Sequence, residues 1–209
     1  DLIRLANQNA REEVERATTR EERQSKLLEA LGRMLGLEEP PRRMESYDIS
    51  NQGASDIVAS MVVYVDGKPL KRDYRRFKLK DMDGPDDYAS MEQVLTRRFR
   101  RYLDGDEKFV EKPDLLLIDG GLEHVRVARR VLEAMALDIP AFGMVKDDRH
   151  RTRALVHPDG REIGIQAVPA VFSLIGQIQE ETHRFAIEYH RQLQAGHVKT
   201  SVLDQIPGV

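Results

Sequence analysis

The chain has 209 residues, 40% hydrophobic and 33% charged, a composition that supports a packed domain under a charged surface and excludes a disordered tail. Its 33 Lys and Arg stand against 36 Asp and Glu, a formal charge of −3, so any polyanion must be met by local basic patches rather than by overall charge. Cys is absent, which excludes disulfides, thiolate metal sites and Cys nucleophiles and fits a cytoplasmic protein; no run approaches the roughly 20 apolar residues of a membrane span. The sequence opens at Asp1 without Met or a signal-peptide pattern and reads as a fragment of something longer.

Residues 1 to 36 lack Pro, mix Leu, Ala, Val and Met with Glu and Arg, and end at Gly36, which predicts one or two amphipathic helices. Thr18-Thr19 followed by Glu21-Glu22 marks a break between them, and Pro40-Pro41 closes the segment as a boundary. A short strand is predicted from Met44 to Ser50, then a polar stretch from Asn51 to Asp56, then a β-branched strand from Val58 to Val65 running into the hairpin turn Asp66-Gly67. Leu70 to Leu79 is predicted as a third antiparallel strand, with Tyr74, Arg76 and Lys78 on one face and Arg75, Phe77 and Leu79 on the other. Asp86 or Asp87 caps a helix from Tyr88 to Leu103. The short apolar run Leu115 to Ile118 is a buried parallel strand. Gly120-Gly121 turns the chain into a helix over about Glu123 to Met135, and Ala141 to Val145 is another buried strand, so strand, helix and strand make a right-handed crossover. Leu155 to Ile163 reads as a small hairpin, and Pro169 opens a long helix to about Gln194. Three antiparallel strands, then parallel ones with helices on the faces, resemble the ribonuclease-H-like α/β fold, a mixed sheet flanked by helices. In domain terms, residues 1–43 are a helical linker and 44–202 the folded domain.

Asp48 lies in the first strand and Asp119 at the end of the central apolar one. Ionised carboxylates in a mostly buried sheet are costly unless paired or holding a metal. If the first and fourth strands are neighbours, as that fold has them, the two carboxylates meet, and hard oxygen ligands of this kind suit Mg²⁺ or Mn²⁺. Each has a plainer reading: Asp119 before Gly120-Gly121 as a turn former, and Asp48 before Ser50-Asn51 as an Asx-turn residue. His183, on the last helix, can bind a metal or act as a general base, or be an ordinary core or surface histidine.

Basic residues cluster at Lys68, Lys71-Arg72, Arg75-Arg76, Lys78 and Lys80, and at Arg97-Arg98 with Arg100-Arg101, where a solvated helix face is the competing account. The loop Lys146-Asp147-Asp148-Arg149-His150-Arg151-Thr152-Arg153 follows a buried strand, where ligand sites of α/β sheets tend to lie, and suits phosphate contacts that carry affinity without reading bases.

From Met44 to Val209 the chain resembles UvrC, the nuclease of the excinuclease ABC system in bacterial nucleotide excision repair. The matching blocks include Tyr47-Asp48-Ile49-Ser50-Asn51, Tyr74-Arg75-Arg76-Phe77, Gly84-Pro85-Asp86-Asp87-Tyr88-Ala89-Ser90-Met91, Leu117-Ile118-Asp119-Gly120-Gly121, Lys146-Asp147, His183-Arg184-Phe185-Ala186 and Tyr189-His190-Arg191. The resemblance implies a metal-dependent endonuclease that makes the incision 5′ to a lesion, with Asp48, Asp119 and His183 as catalytic and metal-binding set and Asp87, or Asp86, as a further acid. It implies damaged double-stranded DNA and UvrB as partners, downstream of UvrA and away from any membrane. Arg75, Arg76, Lys146, Arg149, Arg151, Arg153 and Arg184 are then the expected DNA contacts. Residues 203–209, closing on Ile206-Pro207-Gly208-Val209, are similar to the start of the family's helix-hairpin-helix unit. One departure is Leu122-Glu123-His124, where the family usually has Lys-Gly-Gln. Two other readings remain: a binding or scaffold domain of the same fold without nuclease activity, and a ribonuclease or transposase-like strand cleaver.

Overall fold

In the computed structural model, which describes residues 1–16, 19–52, 56–79 and 86–204, the chain begins with helices α1 (Leu2–Arg16) and α2 (Arg20–Met34). The break at Thr19 is a capping box: the Thr19 hydroxyl accepts from Glu22 N–H at 3.0 Å and the Glu22 carboxylate accepts from Thr19 N–H at 3.4 Å. These helices, expected as a linker, pack onto the sheet. Leu27, Leu28, Leu31 and Leu35 share a core with Met44 and Tyr64, and burying each leucine is worth about 1.5 to 3 kcal/mol over leaving it in water.

Strands β1 (Arg43–Gln52) and β2 (Asp56–Val65) pair antiparallel along their whole length, from Arg43↔Val65 to Gln52↔Asp56. The polar stretch expected at Asn51 to Asp56 is therefore strand at both ends, with residues 53–55 outside the described part. Asp66 (φ 52°) and Gly67 (φ 80°) both adopt left-handed backbone, the pair of conformations that lets a two-residue turn follow the strand twist. The third strand is broken where a continuous one from Leu70 to Leu79 was expected. A two-residue β3 (Lys68–Pro69) and β4 (Arg75–Leu79) both pair with β2, separated by a 3-10 turn at Lys71–Asp73. That turn delivers the Asp73 carboxylate to Arg43 Nη1 at 2.8 Å, a bond that a straight strand would not place there.

After residues 80–85, outside the described part, α3 (Asp87–Leu103) starts on Asp86, whose carboxylate accepts from Tyr88 and Ala89 N–H. Asp86 is thus the cap and Asp87 the first helical residue. There follow β5 (Leu115–Ile118), α4 (Leu122–Ala134), β6 (Ala141–Lys146), β7 (Thr152–Val156), β8 (Glu162–Gly164) and α5 (Pro169–Asp204). Among the described residues the sheet has eight strands in the order β3-β2-β1-β5-β6-β7-β8, with β4 also on β2. β1, β5 and β6 are parallel, and β7 and β8 extend the sheet antiparallel beyond β6. The expected 155–163 hairpin is therefore the tip of a longer one. α5 continues past Gln194 to Asp204, and residues 205–209 of the expected helix-hairpin-helix start lie outside the described part.

Successive strand residues face opposite sides, and the core divides accordingly. Tyr47, Leu116 and Ile118 pack under α3 and α4, whereas Met44, Leu115, Leu117, Phe142 and Met144 pack under α2 and α5. On the α3 side lies a residue that the Arg97 to Arg101 run did not announce. Arg98 is 0% exposed, and its guanidinium binds both oxygens of Glu45, itself 0% exposed, at 3.1 and 2.9 Å. Arg98 also donates to the Phe109 and Glu111 carbonyls, Tyr47 hydroxyl donates to Glu45 at 2.7 Å, and Arg43 Nε adds a bond of 3.1 Å. A buried carboxylate survives ionised only with partners of this kind, so Arg98 is a structural residue and no part of a surface patch.

Candidate active site

Asp48 and Asp119 meet as neighbours on parallel strands. β1 and β5 are in register with Tyr47 opposite Ile118, and Asp119 N–H donates to the Tyr47 carbonyl at 2.9 Å, so each aspartate is the next residue along its own strand. Both point to the α5 side, because Ser46 and Leu117 do. β6 closes in beside them. A Cβ on Gly143 would lie 2.9 Å from the Gly120 carbonyl and 2.8 Å from Val156 Cγ1, so only glycine lets β6 come so near the Asp119-Gly120-Gly121 turn.

The pair is electrostatically strained. The Asp48 carboxyl is pushed up to about 7, first by burial and then by the Asp119 charge beside it, and a hydrogen bond between the two carboxyls acts in the same direction. Lys146 and the Ile49 N–H oppose the shift. Lys146, the last residue of β6, places its ammonium 2.7 Å from Asp119 Oδ1. Two carboxyls held together on a half-buried surface, with the Lys146 ammonium bonded to Asp119, fit a divalent cation, since hard oxygen donors short of counter-charge are what such ions bind. Among the described residues, however, no group of three or more His, Cys, Asp or Glu side chains is gathered closely enough for a metal. The structure brings Asp48 and Asp119 together and leaves His183 apart: it is exposed and lines a surface hollow with Glu180, Ile187 and Arg191.

α5 itself is tied to β1 on both sides of Asp48. Thr182 Oγ1 donates to Ser46 Oγ at 2.9 Å, and Ser50 Oγ lies 2.5 Å from His190 Nε2. These bonds clamp the helix to the strand on either side of Asp48, so the segment carrying His183 crosses directly over the acidic pair. Burial holds the His190 imidazole below its ordinary pKa by penalising its charged form. Ser50 and His190 lie in blocks that carry the resemblance, but nothing in the sequence assigns a role to them or to Ser46 and Thr182. Their trace there is a stripe at every fourth residue, Ile178, Thr182, Ala186 and His190, in which apolar and polar side chains alternate, facing the polar positions Ser46, Asp48 and Ser50.

The expected DNA contacts fall into two groups. Arg75 donates to the Arg72 and Tyr74 carbonyls at 2.8 Å, and Arg76 stacks 3.7 Å from the Phe185 ring centroid while bonding the Phe185 carbonyl. Arg184 pairs with Glu181 and Glu188. These three are engaged within the protein. In the loop after β6, by contrast, the Asp147 carboxylate accepts from Arg149 and Arg151 N–H at 2.8 and 2.9 Å, and Gln179 Nε2 donates to the His150 carbonyl at 2.6 Å. The turn is therefore rigid while the Arg149 and Arg151 side chains are exposed, Arg151 Nε resting 3.4 Å from Asp147; Arg153 pairs with Glu162. Asp87 is exposed at the start of α3, next to Tyr88, whose ring lies 4.6 Å from that of His124. His124 in turn packs on Gly120, so the departure at Leu122-Glu123-His124 forms one wall of the turn that follows Asp119.

A meander continued by parallel strands, with two aspartates on adjacent strands beneath a long helix, defines a ribonuclease-H-like domain with a candidate cation site. The chain belongs to the UvrC RNase H endonuclease domain family, whose sequence profile matches residues 32–187. It is 46% identical over 208 residues to the UvrABC system protein C of Caldicellulosiruptor saccharolyticus, covering 100% of this chain and 34% of that protein. With the UvrABC system protein C of Alkaliphilus oremlandii it shares 43% over 226 residues, 100% of this chain and 36% of that protein. The chain thus spans about a third of the length of these curated relatives. Among solved structures it is similar to human ENDOV, with 13% identity, a TM-score of 0.45, and coverage of 74% of this chain and 86% of that one. No described helix is long and apolar enough to cross a membrane.

Proposed function

We propose that this chain is the part of a UvrC protein that hydrolyses a phosphodiester bond in damaged double-stranded DNA, on the 5′ side of the lesion, with Mg²⁺ or Mn²⁺, in an assembly with UvrB and after UvrA has acted. The observation that carries the reading is the Asp48 and Asp119 pair, with Asp48 raised to about 7 by burial and by its neighbour. A pair so placed serves no packing purpose that two apolar residues would not serve better.

Asp48 and Asp119 are the residues that would hold the cation. When bound, the cation neutralises charge developing on the phosphate and makes water a better nucleophile. His183, on the helical segment clamped across the pair, takes or gives the proton that the two aspartates leave unassigned; such general acid-base help is typically worth about 10² to 10⁴ in rate. Arg149 and Arg151, with Arg153 and Lys146, track the DNA backbone, giving register and affinity without sequence preference. The exposed Asp87 is a candidate for a supporting acid on the opposite helix layer.

The reading is tested with full-length protein, UvrB and a duplex carrying one lesion. Nicking on the 5′ side that requires Mg²⁺ or Mn²⁺ and disappears with Asp119→Asn is the expected result. Binding of the same duplex by both proteins with no nicking by either identifies a scaffold domain and removes the proposal.

A further inference from the structure

The Lys146 to Asp119 ion pair differs from the structural ion pair on the other face of the sheet in every respect that decides whether a pair is permanent. Arg98 and Glu45 are both 0% exposed and joined by two bonds, with further partners on each side. Among the described residues Lys146 makes one ion pair, to Asp119 Oδ1, and its side chain is 34% exposed while that of Asp119 is 10% exposed. One end of the pair is therefore anchored in the sheet and the other has an open path to solvent. A partly exposed Lys-carboxylate pair contributes little to stability, so a doubly charged ion can readily take the place of the ammonium.

The backbone aims Lys146 at this position. The β6 and β7 register shifts between Val145 and Lys146, from Val145↔Ala154 to Lys146↔Thr152, leaving Arg153 without a partner in the ladder. Such a bulge turns a side chain from its regular direction. Thr152 beyond it is fully buried and tied to Gln179 of α5, which fixes the end of β6 from which the Lys146 stem extends. The ammonium also acts on Asp48, since it lowers the cost of ionising that carboxyl.

We propose that Lys146 is a displaceable place-holder for the cation: its ammonium occupies the Asp48 and Asp119 pair in the metal-free protein, and on cation binding it is released into the cleft, where phosphate is its next partner. This inference rests on the metal-site reading above and assigns Lys146 two sequential partners rather than a fixed DNA contact. It also explains how two adjacent aspartates remain in a folded protein before any cation arrives.

The test is calorimetric titration of Mn²⁺ into the chain and into Lys146→Met, with Arg149→Met as a control that removes the same charge from the neighbouring loop. Because the cation no longer competes with an ammonium, Lys146→Met should bind Mn²⁺ at least about tenfold more tightly, whereas Arg149→Met should change affinity by less than about threefold. Equal or weaker binding by Lys146→Met overturns the inference and leaves the metal site standing; no binding by any of the three proteins overturns both. A second measurement needs no substitution. The ¹H–¹⁵N resonance of the Lys146 ammonium should be distinct from those of the solvated lysines in chelator and join them on addition of Mg²⁺, and a resonance unmoved by saturating Mg²⁺ refutes the release.

Discussion

Replacing Asp48 with Asn should make the metal-free protein more stable. The Asp48 carboxyl is raised from an ordinary 3.8 to about 7 in the folded state, so between these values the folded protein binds a proton that the unfolded chain has lost. Stability from this group therefore falls as pH rises from about 4 and reaches its minimum above about 7. The gap of about 3 pH units, at about 1.4 kcal/mol each, sets an upper limit near 4 kcal/mol. Relaxation of water around this half-buried group reduces that to about 2 kcal/mol. For a domain of this size the change corresponds to a rise of roughly 4 to 8 °C in melting temperature. Asn keeps the shape, carries no charge, and can donate its amide to Asp119. In chelator at about pH 8, Asp48→Asn should thus melt above the parent, and the difference should narrow as pH falls and close only below about pH 4, where the carboxyl is neutral in the folded and unfolded states alike. Saturating Mg²⁺ should reverse the order, since ligand at about a hundred times its dissociation constant stabilises the parent by roughly 2.7 kcal/mol and the variant hardly at all. Calorimetric melts over this pH range decide the matter. A variant that melts below the parent at every pH, with or without Mg²⁺, would show that Asp48 is an ordinary structural carboxylate.

Arg98→Met leaves Glu45 buried without its principal cation and should lower stability by about 3 to 5 kcal/mol in chemical denaturation, far more than Arg97→Met on the exposed side of the same helix. His183→Ala should melt like the parent, because the residue is exposed, while single-turnover nicking by the full-length protein with UvrB falls at least about a hundredfold; parental nicking would remove His183 from the chemistry. Alanine at Arg149, Arg151 and Arg153 together should weaken binding evenly across DNA sequences and flatten its salt dependence by nearly one unit of log slope for each phosphate no longer neutralised, and an unchanged slope would place the DNA path elsewhere.

Local patterns carried much of the architecture. Leu115 to Ile118 was legible as a buried strand because four consecutive apolar residues between Asp114 and Asp119 fit little else, and Thr19 and Asp66-Gly67 were legible because caps and tight turns depend on nearest neighbours. What escaped were consequences of long-range pairing. The third strand looked continuous because alternation from Tyr74 to Leu79 was real, but the Arg43 to Asp73 bond that breaks it joins residues 30 apart in sequence. Arg98 looked like one of a basic run, and only the return of Glu45 from 53 residues earlier makes it a core residue. Likewise Arg76 and Arg184 resembled phosphate ligands, yet Phe185 and the glutamates of α5 already occupy them. Of the candidate site, the aspartate pair followed from strand adjacency, whereas the Ser50 to His190 clamp spans 140 residues and has no local signature.

β1 itself shows why one acidic cluster is architecture and the other a candidate for chemistry. Glu45 and Asp48 are three residues apart on the same strand and so face opposite sides of the sheet. Under α3, Glu45 meets Arg98, Arg43 and the Tyr47 hydroxyl, so every oxygen is bonded and no counter-charge is wanting. Under α5, Asp48 meets a second carboxyl, one backbone N–H and the influence of a lysine whose own bond goes to Asp119. Folding alone would select the first arrangement on both faces, because a carboxylate buried with too few partners costs several kcal/mol. The second persists because the β1 and β5 ladder, extended by the Asp119 N–H to Tyr47 carbonyl bond, keeps the pair together, while the clamps at Ser46 and Ser50 hold α5 above it. A site whose strain is maintained by its surroundings, and which a divalent cation would relieve, is the form that a metal-dependent nuclease requires before its substrate arrives.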